Sequence, residues 1–393
     1  MEKQEEEEEK RKGLCPSSKE TSLSLPLDLI CEVLIRLPAR GIGRSRCVSK
    51  LWLSYTTLAS FNNLFTARFS QSPCVLAFKI RGDNLLAFSL PQQGNSDNCS
   101  PVDSYVIKCP KNCEYSHYMS SAHGVYCFHG DGKLGIWNPT TRQFSTLTKP
   151  ESCWEYTLGF VGYDPIDGTY KVVCMPEVYS STYPEPRNQA RVLTLGRGQK
   201  SSWRFIQGSF EHFPRLGGRC IKGVLYYEAH LSSDLTHRIV MSFHVKSEKF
   251  KMIQVPWSQS EGILLAYQGK LALAWQASEF SFDPFISLWV LEDAERHEWS
   301  FKRLSLPFPL EDPILETSLF LKGVTSAGEF VYASSSWSVS FDPFHALYFD
   351  PKRNTVRRVI YQGLAEPEFR RDGLGKIVTM FMFPDHIESL LSV

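Results

Sequence analysis

Several features that would narrow the function at once are missing from these 393 residues. No stretch approaches the roughly eighteen consecutive apolar residues that a membrane-crossing helix needs. No apolar segment follows the first residues as a secretory leader would, so the sequence reads as a soluble protein that is not secreted. Neither sign of charge is in surplus: 43 Lys and Arg face 42 Asp and Glu. That balance removes the electrostatic case for nucleic acid as the main partner. A phosphate-binding Gly-Lys-Ser/Thr loop, a His-Glu-x-x-His helix and a Gly-x-Ser-x-Gly elbow are all missing as well. After Phe69 almost no helical periodicity is left.

Cysteine is not scarce, but its count of 11 is odd. An odd number of thiols in a large chain fits a reducing compartment, so free cysteines and an intracellular site, cytoplasm or nucleus, are expected. Cys109, Cys113, His117, His123, Cys127 and His129 lie in a short span and are zinc-ligand types, yet their spacing matches no standard zinc module. Ordinary thiols and histidines are the reading, with no metal and no cofactor. The stretch "GDGKLG", 130–135, satisfies a dinucleotide fingerprint, but the strand "IWNPTT" follows it where a helix would have to start, so it reads as a hairpin loop. The acid pairs Glu292 with Asp293 and Glu311 with Asp312 read as solvated loop charges. No catalytic residue is assigned, and the chain is not expected to be an enzyme.

What is present divides into three parts. Residues 1–23 open with an acidic run closed by a basic cluster, "MEKQEEEEEKRKG", and read as a disordered tail with little to bury. Residues 24–70 carry apolar positions at helical spacing. In "LPLDLICEVLIRLP", Pro26 is expected at the first helical position, Asp28 favours the positive end of the helix dipole, and Pro38 stops the helix. Leu27, Ile30, Leu34 and Leu37 form one apolar stripe while Leu29 and Val33 add a second flank, an arc too wide for one small core to cover. A helical module of this size is close to the lower limit for folding alone, and an uncovered flank marks an interface.

Residues 71–393 alternate short apolar-aromatic runs with Gly, Pro, Asp and Asn, the pattern of many short strands. A glycine opens a strand at Gly124, Gly168, Gly223, Gly269 and Gly328, with Gly82 as a possible sixth. From Gly223, Gly269 and Gly328 the next aromatic strand position, Phe243, Trp289 or Tyr348, comes at the same distance. "SFDPFISLW" and "SFDPFHALY" repeat one another with the offset that separates Gly269 from Gly328. Repeats of this length predict a β-propeller of about six blades, so the fold class is a small all-α module followed by a large all-β domain. The strands near Cys74 and Met380 are expected to pair and close the ring. Loops joining second to third strands vary most, and the aromatic residues on them, Tyr179, Tyr183, Phe282, Phe285, Trp337 and Phe344, are candidate recognition anchors or else loop packing.

The helical stretch "LPLDLICEVLIRLPARGIGRSRCVSKLW" resembles the F-box. The resemblance implies that Leu25, Pro26, Leu29, Ile30, Leu34, Leu37, Pro38, Val48 and Trp52 face, or directly support, a surface that docks a Skp-type adaptor, and through it cullin and RING subunits. One departure is "ARGIGRS", whose Gly41 and Gly43 each cost about 1 kcal/mol in a helix and would weaken that surface. The segments "GVYCFHGDGKLGIWNPTTRQF", "GYDPIDGTYKVV", "CIKGVLYYEA" and "YFDPKRNTVRRVIYQG" resemble the F-box-associated interaction domain of many plant F-box proteins. Together these imply the substrate-recognition subunit of an SCF-type ubiquitin ligase, with a non-degradative scaffold using the same adaptor as the alternative. They fix no ligand-contacting residue in the β-domain.

Overall fold

The computed structural model describes residues 26–392 apart from internal stretches, of which the longest are 110–118, 177–189, 277–283 and 365–376. The proposed tail, 1–23, and Leu25 lie outside the described residues.

Four helices come first: α1 (Leu27–Ile35), α2 (Ala39–Val48), α3 (Lys50–Thr56) and α4 (Ala59–Phe69). Pro26 and Pro38 are both N-caps, each one residue outside the helix it precedes, where a missing N–H costs nothing. Pro38 therefore starts α2 as well as ending the preceding turn. Ser49 breaks the chain between α2 and α3, and its hydroxyl accepts the Leu51 N–H. Gly41 and Gly43 are helical after all. Ile42 between them is fully buried, so the burial of this one side chain offsets part of their propensity cost.

The rest is sheet, antiparallel apart from two short parallel pairings. Three four-stranded sheets stand apart; a fourth sheet has eight strands and a fifth has six. The expectation of about six discrete blades is therefore corrected. Two four-strand meanders, 120–147 and 213–254, are fused by their first strands through a parallel pairing of Arg219 with Ser121. The 317–361 meander is extended by the short strands Glu311–Asp312 and Asn98–Cys99.

Local chemistry sets the register in four of the meanders. The first hairpins at His123-Gly124, Lys222-Gly223 and Gln268-Gly269 are two-residue turns with positive φ at both positions. This is the type I′ geometry that matches strand twist and calls for glycine at its second place. The last hairpins are four-residue loops starting at Asn138, His244, Asp293 and Asp350. In each, the side chain of that residue accepts a backbone N–H from the turn, and the fourth loop residue, Arg142, Glu248, His297 or Asn354, takes positive φ. The repeated letters of the sequence are thus repeated turns, and the two SFDPF copies end at equivalent residues, Phe285 and Phe344, which each open a third strand.

The ring closes as expected. Cys74–Arg81 pairs with Phe381–His386, with Leu76 opposite Phe383, Ala77 opposite Met382 and Phe78 opposite Phe381. Phe78 stacks on both Phe381 and Phe383, and its edge meets Trp137 of the next meander. Successive innermost strands touch around the ring. Between neighbouring sheets lie apolar clusters such as Leu265, Tyr267, Ile286, Leu288, Phe330 and Tyr332.

From Ile387 the chain leaves the closing strand and crosses the hairpin side of the 120–147 meander. A Cβ added to Gly124 would fall 2.0 Å from the Ile387 carbonyl oxygen, whereas one added to Gly328 would meet nothing within 4 Å. Both glycines have positive φ. Gly124→Ala should therefore cost roughly 2 kcal/mol or more than Gly328→Ala, which carries only the backbone strain of about 1 kcal/mol. Urea denaturation of the two variants checks this; equal losses would mean that the 387–392 segment does not press on the turn.

Candidate functional site

The helices occupy one face of the molecule. Leu34, Ile42, Phe61 and Phe65 form the helical core, and Ile30, Leu37 and Trp52 pack on it half-buried. One further member of that core comes from far along the chain: Leu390, 5% exposed. Arg46 ties the same place together. Its Nη1 donates to the Leu390 carbonyl at 2.9 Å, and its Nε and Nη2 donate to Thr56 Oγ1 and the Thr56 carbonyl.

The Leu390 segment is held equally firmly from the sheet side. Asn138, fully buried, donates through Nδ2 to the Ser389 and Leu391 carbonyls at 3.0 and 2.7 Å. The Ser389 N–H donates to Thr140 Oγ1, and Ser389 Oγ shares a hydrogen bond of 2.8 Å with the Tyr170 hydroxyl. A second junction lies beside it, where Asn63 of α4 donates to the Pro165 carbonyl and accepts from the Tyr163 hydroxyl. His123 lies flat on Tyr163 with ring centroids 4.0 Å apart. The helical module is thus docked on the end of the sheets that carries the first and last hairpins, and the second strands finish and the third strands begin on the far face.

Of the nine residues assigned to adaptor docking, Pro26, Leu29, Pro38 and Val48 are exposed. Leu34, 2% exposed, belongs to the core, and Ile30, Leu37 and Trp52 support it. Four large exposed apolar side chains of the helical module were absent from that set: Val33 at 60%, Leu51 at 46%, Leu58 at 49% and Leu64 at 60%. The four-residue spacing of Leu29 and Val33 was the signal for the first. Leu51 is exposed because Ser49 breaks the helix before it, and periodicity does not reveal such a break.

On the far face, Tyr179, Tyr183 and Phe282 fall outside the described residues. Phe285 is half-buried, with the Arg303 guanidinium 3.7 Å from its ring centre and Trp275 beside it at 5.7 Å. Phe344 is not a surface anchor. It is 2% exposed, in the cluster that holds Tyr348 and Tyr361, whose hydroxyls bond to each other at 2.8 Å. Trp337 is not on a plain loop either, since Ser336–Ser338 is a strand that pairs with Ile377–Thr379.

The Cys and His series does not converge. Cys109 and Cys127 are buried, and the His129 ring sits between the Thr157 and Gly159 carbonyls. Burial pushes the Cys127 thiol up to about 12, so it stays protonated. Cys113 and His117 lie outside the described residues. Among the described residues no group of three His, Cys, Asp or Glu is placed to hold a metal ion. "GDGKLG" is a hairpin connection, with Gly130 paired to Lys133.

Three buried titratable groups sit at or near the junction. His386 shares a hydrogen bond of 2.9 Å with the Tyr126 hydroxyl, and burial lowers its pKa to about 4. Burial alone lowers His123 to about 4 as well. Glu388 is raised to about 6 by burial and by nearby Asp103, and its Oε2 is buried with no hydrogen-bond partner among the described residues.

A residue-family model described as the F-box domain matches 22–63, and one described as the F-box associated beta propeller domain matches 74–387. The Arabidopsis thaliana F-box protein At5g18160 is 36% identical over 94% of this chain and 92% of its own length. Another Arabidopsis thaliana relative, At1g47790, also named for an F-box, is 40% identical over 100% of both chains. Among solved structures, TolB from Acinetobacter baumannii superposes with a TM-score of 0.40 at 10% identity, over 82% of this chain and 72% of that one, a loose likeness.

Linkage fixes the signs of the pH dependence. A folded-state pKa below the unfolded value means that the His386 contribution is complete above pH 6.5 and is lost as the pH falls towards 4. At pH 5 the loss is about 2 kcal/mol. Glu388 acts in the opposite sense: its raised pKa favours folding below 4.5, and that contribution disappears as the pH rises through about 6. His386→Asn should therefore shrink the drop in urea midpoint between pH 7 and pH 5, and Glu388→Gln should raise the midpoint at pH 7 more than at pH 4.5. An unchanged pH slope in His386→Asn would show that the ring is not buried in the neutral form.

Proposed function

The chain belongs to the F-box proteins that carry an F-box associated β-propeller, and from that premise we propose that it is the substrate-recognition subunit of an SCF-type ubiquitin ligase. In this reading the helical module holds a Skp-type adaptor, and through it cullin and RING subunits, while the far face of the propeller holds a substrate protein. No bond is made or broken by this chain; it raises the concentration of substrate lysines near the ubiquitin-loaded enzyme. The observation that carries the proposal is the set of exposed apolar side chains on the helices, Leu29, Val33, Val48 and Leu51, on a module docked against the hairpin ends of the sheets. Apolar side chains clustered on so small a helical module are the kind of surface a partner covers.

An intracellular site, in cytoplasm or nucleus, fits the free state of the cysteines described in the structure.

The test is capture of the full chain with adaptor and cullin from cells in which the proteasome is inhibited. Val33→Asp combined with Val48→Asp should lower adaptor capture at least tenfold while the melting temperature changes little, because both side chains are exposed. Leu34→Ala should lose adaptor by a different route, unfolding the helical module at a cost of about 2–5 kcal/mol. Full adaptor capture by the double variant would refute the assigned face. Adaptor and cullin capture without ubiquitination of any co-captured protein would favour a scaffold.

A further inference from the structure

The loop face carries a pocket between the 213–254 and 263–305 meanders. Its walls include Glu228 and Arg238 from one meander, Trp275 and Trp289 from the other, and Val255 and Gly262 from the connection between them. About 440 Å³ of space lies between these walls and in front of them, open solvent included. All of these residues lie toward the strand ends away from the helical module.

The chemistry of the walls limits what can enter. Arg238 Nη2 donates to Glu228 Oε2, and each of the two side chains is only 12% exposed. The one ion pair on the wall is thus already neutralised, and a charged visitor would have to lose its water and disturb that pair. The remaining surface is mostly apolar and aromatic. The Trp289 indole N–H is buried with no acceptor among the described residues. Trp275 continues the aromatic surface outward to Phe285, which is capped by Arg303. Rings meeting at offset or edge-on angles are favoured in such a place, and aromatic anchors in desolvated pockets dominate protein recognition.

We propose that this pocket is the primary specificity pocket for substrate, and that it takes one large uncharged aromatic side chain of the bound protein. The inference rests on the receptor reading above but adds to it the class of side chain recognised and the residues that select it. Gly262 is the residue that keeps the pocket open. A Cβ there would meet Ala274 O at 3.4 Å and Leu273 Cδ2 at 3.5 Å, ordinary contacts, and the position does not require positive φ. A larger side chain can therefore be placed there and project into the space without straining the backbone.

The experiment uses the full chain bound to its adaptor, with N-acetyltryptophan amide as the probe and the amides of N-acetylarginine and N-acetylglutamate as charged controls. Ligand-observed NMR reads binding. Saturable binding of the tryptophan amide is expected, with the two charged amides at least tenfold weaker. Gly262→Leu should weaken the tryptophan amide at least tenfold while melting temperature and adaptor capture are retained. Val255→Trp fills the same space from another lining position and serves if Gly262→Leu fails to fold. No binding to wild type, equal binding of a charged amide, or undiminished binding in the filled variants would overturn the proposal. Loss of adaptor capture by wild-type chain would instead refute the receptor reading and leave the probe result standing by itself.

Discussion

The insertion of Leu390 into the helical core is the contact on which the two-part architecture depends. Without it the F-box module would touch the propeller chiefly through Asn63 and its neighbours, a small polar junction that water can replace. With it, one short segment belongs to two cores at once. Asn138 and Tyr170 hold its backbone and serine from the sheet side, and Arg46 holds its carbonyl from the helices. The segment begins directly after the strand that closes the ring, so ring closure, helical packing and the placement of the two faces are one cooperative arrangement. A receptor that must present substrate at a fixed distance from an enzyme gains from such stiffness, because a loose joint would spread the substrate over many orientations.

Each level of structure feeds the next. Type I′ hairpins and side-chain-capped four-residue loops fix register within each meander. Register sends alternate side chains into the clusters between sheets, and those clusters hold the sheets around a ring. The first and last strands then meet despite a separation of more than 300 residues, which makes this pairing costly in loop entropy. The stack of Phe78 on Phe381 and Phe383 supplies apolar contact where that cost falls. Glu388 and the neutral histidines His123 and His386 lie at or near the junction and are shifted in opposite senses, so the stability of the junction depends on pH.

Much of this was legible in the sequence because it is local. The helical spacing of Leu27 to Leu37 and the turn glycines Gly124, Gly223 and Gly269 depend on residues a few positions apart, and the structure places them as that spacing implies. Closure of Cys74–Arg81 on Phe381–His386 was readable too, since two unpaired apolar strands at the ends of a repeat array need each other. What the sequence did not reveal depends on contacts between distant residues. Leu390 carries no local mark of belonging to a helical core. Phe285 and Phe344 occupy the same place in the repeat, yet one faces the surface and the other is buried, because different neighbours cover them. Leu34 and Leu29 look equally apolar on the page, and only packing against Ile42, Phe61 and Phe65 shows which one is free to meet a partner. The fusion of two meanders through Arg219 and Ser121 is likewise invisible to any repeat count.

The central claim is that segment 387–392 makes one body of the two modules. Amide hydrogen exchange on the full chain, with and without Leu390→Asp, tests it most directly. The account predicts that this one substitution raises exchange both in α3 and α4 and in the hairpins around Gly124 and Asn138, while the strands of the 263–305 meander keep their protection. Faster exchange confined to residues 387–392, with helices and hairpins unchanged, would contradict it.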